Sequence, residues 1–130
     1  MNVQVMEGQV NVALWVAAGV LAAAFLVAGV MKLVKPREDL QARLPYVSDF
    51  SAAQMKAIGA IEVAGATGLI LPAVTKIATV LVPIAATGLA VTMVLATVVH
   101  LRRRENVAVN LVLLALAVFV AWGRFGPNAF

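Results

Sequence analysis

Four long apolar runs, divided by short polar connectors, dominate the chain. The first, 12–31, holds no charged residue. At about 1.5 Å per residue it is long enough to cross a hydrocarbon core of roughly 30 Å. The segment before it carries Glu7 and no Lys or Arg. A cleaved secretory signal needs a positive start, so this run reads as a retained span. The second, 51–71, opens on Ser51-x-x-Gln54, which has the form of a capping box, and is expected to stop at Leu71 before Pro72. Lys56 stands near its start, where it can snorkel to the interface. The third, 77–100, holds Pro83 in its first turns, where proline either starts a helix or kinks it. The fourth covers 106–123. In the one long connector, Leu40 and Leu44 are spaced i, i+4, as are Asp39 and Arg43. This predicts a short amphipathic helix within about 36–46, ended by Pro45 and lying on the membrane surface. The pattern as a whole predicts an all-α protein: one integral membrane domain over 1–130, built as a transmembrane four-helix bundle.

Composition removes the soluble alternative. With 63% hydrophobic residues, a mean hydropathy of +1.00 and only 12% charged residues, the chain has too few polar side chains to coat a water-soluble surface. The absence of cysteine excludes disulfides, thiolate metal sites and dithiol relays, and a single histidine excludes a bis-His haem within one chain. There is no Gly-x-x-x-x-Gly-Lys loop, no His-rich metal cluster and no Ser/His/Asp set with more than one candidate histidine. Those absences point to a subunit or binding protein rather than a stand-alone enzyme.

The net charge of +4 does not indicate nucleic acid, because the basic residues lie in connectors. Lys32, Lys35, Arg37, Arg43 and Lys56 flank the first connector, and Arg102, Arg103 and Arg104 the third; only Lys76 and Arg124 lie elsewhere. By the positive-inside rule, both termini are expected to be extracytoplasmic. Trp15 and Trp122 then fall near the outer ends of their spans, where an indole prefers the headgroup layer, although either also serves as bulky lipid-facing filler.

Helices in lipid associate through small residues and polar contacts, since lipid tails are as apolar as leucine. Ala18, Ala22, Phe25, Gly29 and Lys32 form one stripe in the first span. The second span carries the rows Ala60, Ala64, Gly68 and Gly59, Glu62, Ala66, and the third carries Gly88, Thr92, Ala96. A shift of 68 positions lays Lys32-Leu33 over His100-Leu101 and Leu21-Ala22 over Leu89-Ala90, the trace expected of a parallel two-helix repeat. Chance similarity between Ala-, Val- and Leu-rich stretches is the competing explanation.

Glu62 is the most informative residue. It lies about 9 Å along the helix axis from Lys56 and well short of Leu71, inside the hydrocarbon region. A charge there costs about 2.5–3.5 kcal/mol on insertion scales. Its i±3 and i±4 neighbours are Gly59, Ile58, Gly65 and Ala66, so any partner must come from another span. Lys32 and His100 stand at the basic ends of the first and third spans, and Asn110 lies about one turn inside the fourth. These four are the expected ligand or proton site, with Phe25, Gly29, Gly59, Thr97 and Arg103 as secondary candidates and no metal. A small ligand with a polar head, such as a quinone, would accept from Lys32 or His100 with its ring among Phe25, Met31 and Met93. The plainer reading makes the same cluster structural glue between helices.

Phe25-x-x-x-Gly29-x-x-Lys32-Leu33, then Gly59-Ala60-Ile61-Glu62 with Gly65, Leu69 and Pro72, then His100-Leu101-Arg102-Arg103 and Asn110, resemble the DoxX-like family of small four-span bacterial membrane proteins. The resemblance runs from about Ala13 to Phe125. It implies a four-helix bundle in the bacterial cytoplasmic (inner) membrane, distantly similar to the membrane subunit of a thiosulfate:quinone oxidoreductase. It also implies likeness to actinobacterial membrane oxidoreductase complexes and to animal receptor-assembly chaperones. Lys32, Glu62, His100 and Asn110 would be the family's polar positions. Some distant relatives place cysteines in the bundle, and their absence here argues against a thiol relay. Two readings follow: a quinone-associated or redox-linked subunit with a soluble or membrane redox partner, or a non-enzymatic adaptor or assembly factor. A binder of small lipophilic molecules, working as a homo-oligomer, is a third.

Overall fold

The computed structural model describes residues 2–130 and contains five α-helices and one 3-10 turn. They are α1 (Val3–Val34), α2 (Arg37–Arg43), the 3-10 turn (Pro45–Asp49), α3 (Ala52–Thr75), α4 (Leu81–Arg102) and α5 (Ala108–Phe125). α1, α3, α4 and α5 are each long and apolar enough to cross a membrane. Such helices satisfy their own backbone hydrogen bonds, which lipid cannot do for them. The chain is therefore a multi-pass membrane protein folded as an all-α bundle.

The four long helices form a closed ring. α1 packs on α3 and α5, and α4 packs on α3 and α5, so each helix has two principal neighbours. One end of the ring collects α2, the 3-10 turn and the α4–α5 connection, and is called here the basic end. The other collects both termini and the α3–α4 turn. The core holds Leu14, Leu21 and Phe25 of α1, Leu69 of α3, Leu89 of α4 and Val120 of α5.

Local chemistry sets the helix ends. α1 begins at Val3, nine residues before the apolar run, because Asn2 caps it by accepting from the Gln4 amide at 2.9 Å. Its 32 residues span about 48 Å, more than a hydrocarbon core requires, and the first turns stand exposed. Ser51 and Gln54 form the capping box read from the sequence, with bonds of 3.1 and 2.9 Å. α3 runs one turn past its expected stop, through Pro72 to Thr75. A proline removes only its own amide bond, and the amides of Lys76 and Ile77 still close the final turn on the Pro72 carbonyl. Pro83 is the third residue of α4, where its missing N–H has little to lose, so it starts the helix. α5 lies two residues later than expected at both ends.

The connector helix is α2, with Leu40 buried. Leu40, Val47 and Met55 form a small second core, with Met31, Tyr46 and Ile58 around it, under the basic end of α1 and α3. The small-residue rows divide. Gly59, Glu62 and Ala66 face inward on α3, whereas Ala60 and Ala64 are exposed. Gly88 also faces outward, and α4 buries Val82, Ala86, Leu89 and Met93 instead.

Candidate functional site

The centre of the basic end is an ion pair. Lys32 Nζ donates to both oxygens of Glu62, at 2.8 and 3.0 Å, with the two residues 7% and 3% exposed. Backbone packing brings them together. Gly29 and Gly59 lie three residues before Lys32 and Glu62, and the two glycines touch: a Cβ on Gly29 would meet the Gly59 carbonyl oxygen at 2.7 Å. Helical side chains lean toward their own N-terminus. In the antiparallel α1–α3 pair, Lys32 and Glu62 therefore lean toward each other across this crossing.

Tyr46, on the 3-10 turn, stands near the pair. Its phenol is close enough to Lys32 and Glu62 for both charges to act on it. Its pKa is raised above 10.0, first because burial disfavours the phenolate, so the hydroxyl keeps its proton at neutral pH. Nothing in the sequence marked this residue, which stands in a connector 16 residues from Glu62. The nearest signal was Pro45, whose turn directs the chain back over the helix ends.

Tyr46 also meets His100 edge to face, with ring centroids 5.1 Å apart. His100 Nδ1 is 2.9 Å from Glu105 Oε1. Arg103 closes the layer through Nη1, which donates to Asp49 at 3.1 Å and Ser48 at 3.2 Å, with its Nε 3.6 Å from Glu105. Thus Lys32 and Glu62 meet directly, while His100 reaches them only through Tyr46. Asn110 does not join them. Its amide faces Met93 Sδ at 4.0 Å, and Thr97 bonds back to the Met93 carbonyl of its own helix.

The side chains expected to enclose a ring are divided. Phe25 and Met93 belong to the large core, and Met31 packs on the small one. Among the described residues, no cluster of three His, Asp or Glu side chains could hold a metal.

A second polar feature lies at the opposite end. Arg124, 6% exposed, donates from Nη1 to Asn11 Oδ1 at 2.8 Å and the Asn128 carbonyl at 2.9 Å. Its guanidinium lies 4.1 Å from the centre of the Phe130 ring and 5.8 Å from that of Trp15. Sequence reasoning counted Arg124 only as a charge, although an arginine near the end of an apolar run was the available sign.

No curated protein and no solved structure matches the chain. A family model does, over residues 16–120, a stretch that contains every residue of the buried pair, its glycine crossing, Tyr46 and His100. The chain belongs to the DoxX-like family.

Proposed function

We propose that this protein is a redox-linked subunit of the bacterial cytoplasmic membrane, with its basic end in the cytoplasm, that moves protons for a partner turning over a lipophilic carrier of the quinone class. One observation carries the reading. Titratable groups run in order from the buried Glu62 through Lys32, Tyr46 and His100 to Glu105 at the basic end. Reduction or oxidation of a quinone moves protons together with electrons, and the hydrocarbon core of a membrane supplies no water to carry them. The chain has no cysteine for a thiol relay, and we assign the electrons to the partner and the protons to this subunit.

A second reading rests on a different observation. Both Glu62 oxygens are satisfied by Lys32 alone, which is what a register lock between α1 and α3 requires. In that case the protein is an adaptor or assembly factor. Purification in a gentle detergent, with identification of co-purifying proteins and solvent-extractable compounds, separates the two. On the first reading, a redox protein or quinone-class compound accompanies the wild type. Tyr46→Phe then slows the partner's turnover while leaving the ion pair in place. Wild-type turnover in both Tyr46→Phe and Glu62→Gln would sink it.

A further inference from the structure

The basic end contains a crevice of about 270 Å³ between the end of α1, α2 and the start of α3. Four cations line it, Lys32, Lys35, Arg37 and Lys56, and no carboxylate does. Lys32 is neutralised by Glu62. Arg37 is held by the carbonyl oxygens of Phe50 at 2.7 Å, Val47 at 3.3 Å and Ser48 at 3.4 Å and by Gln41 at 3.3 Å, all uncharged acceptors that fix its position and leave its charge intact. Lys35 and Lys56 form no ion pair among the described residues. Three cationic residues without an ion-pair partner therefore line one small space. Across the same end of the bundle, Arg103 is treated oppositely, lying against both Asp49 and Glu105.

Like charges gathered in one place repel one another, and an anion between them removes that cost. The walls add a second requirement. Leu40 and Met55 are apolar, and Val34 on the rim is 71% exposed. From Val34 the exposed stripe continues along α1 through Val30 and Val27, at i−4 and i−7, into the membrane-spanning part. A cationic hollow at the end of the spans, continuous with an apolar track down the lipid-facing side, matches an anion that carries a hydrocarbon chain.

We infer that this crevice binds the phosphate headgroup of an anionic membrane lipid, with Lys35, Arg37 and Lys56 on the phosphate and an acyl chain along Val34, Val30 and Val27. The chemistry recognised is a phosphate ester, and the hydrocarbon track selects the lipid over a soluble phosphate. The assignment is independent of proton movement and stands or falls by lipid binding alone.

Native mass spectrometry of the detergent-purified full chain tests it, with phosphatidylglycerol and phosphatidylcholine offered in equal amounts. The wild type retains phosphatidylglycerol in preference. Each cation that contacts the lipid phosphate contributes about a fivefold factor to anionic-lipid affinity, so Lys35→Gln with Lys56→Gln binds about 30-fold more weakly. Arg102→Gln with Arg104→Gln removes the same charge from exposed positions outside the crevice and keeps wild-type retention. If the double lysine variant does not fold, Lys56→Gln alone, at an exposed site, gives about a fivefold loss. Equal losses in the lysine and arginine variants would assign binding to diffuse surface charge and overturn the site. Displacement of the lipid by excess inorganic phosphate would overturn the lipid assignment in favour of a soluble anion.

Discussion

Gly29 and Gly59 each occupy the space the other's side chain would need: a Cβ on Gly29 would lie 2.7 Å from the Gly59 carbonyl oxygen, and one on Gly59 would lie 2.8 Å from the Gly29 carbonyl oxygen. This reciprocal contact sets the α1–α3 separation, and Lys32 and Glu62 meet because of it.

Gly29→Ala is therefore expected to destabilise the protein by about 2 kcal/mol, an overpacking cost of about 1–3 kcal/mol that exceeds the helix-propensity gain. Gly19→Ala and Gly88→Ala are the controls, since a Cβ at either meets nothing within 4 Å. They should be neutral or stabilising by up to about 1 kcal/mol. Unfolding in mixed micelles at increasing SDS fraction measures all three.

The buried pair should behave as a unit. Lys32→Met strands a carboxylate that is 3% exposed and is expected to cost about 3 kcal/mol. Glu62→Gln should cost less, about 2 kcal/mol, because the freed ammonium already lines the crevice and can turn toward water. The double variant should fall short of the sum of the singles by about 1–3 kcal/mol. Strict additivity in the same unfolding assay would mean that the two residues are uncoupled.

Tyr46 is the chain's single tyrosine, so phenolate absorbance reports it alone. Burial raises its pKa; the Lys32 charge opposes the rise, while the Glu62 and Glu105 charges reinforce it, and the His100 ring meets it edge to face. The folded protein thus holds the phenolic proton more tightly than the unfolded chain does. Stability from this group is complete below about pH 10 and is lost as pH rises from there through the higher folded value. The absorbance midpoint should lie above that of free tyrosine. Tyr46→Phe should flatten the alkaline fall in stability, and an unshifted midpoint would show that the phenol is solvated.

Arg124 should act through shape as well as charge. Arg124→Met loses the bonds to Asn11 and Asn128 and the stacking on Phe130, and is expected to cost about 2 kcal/mol. Arg124→Lys keeps the charge without the planar fork and should recover less than half of that. Trp15 fluorescence is a local readout, because Trp15 contacts both Arg124 and Phe130; a Trp122→Phe background isolates it.

The amino-acid sequence by itself determined the four helices, because an apolar run of that length in lipid has no way to satisfy its backbone except a helix. It also determined the Ser51–Gln54 cap and the need of Glu62 for a partner on another helix, since no base stands at i±3 or i±4. The choice of partner was left to tertiary structure. Lys32, His100 and Asn110 all stood at suitable depth, and only the Gly29–Gly59 crossing selects Lys32, while Glu105 takes His100 and Asn110 turns to Met93. The same holds for the small-residue rows: Gly59 and Gly88 look alike in the sequence, yet one lies in a helix crossing and the other faces outward. In water, the apolar side of a helix announces which way it faces. In lipid both sides are apolar, so the inward face is decided by which backbones can approach closely, and that is a property of pairs of helices rather than of any one segment.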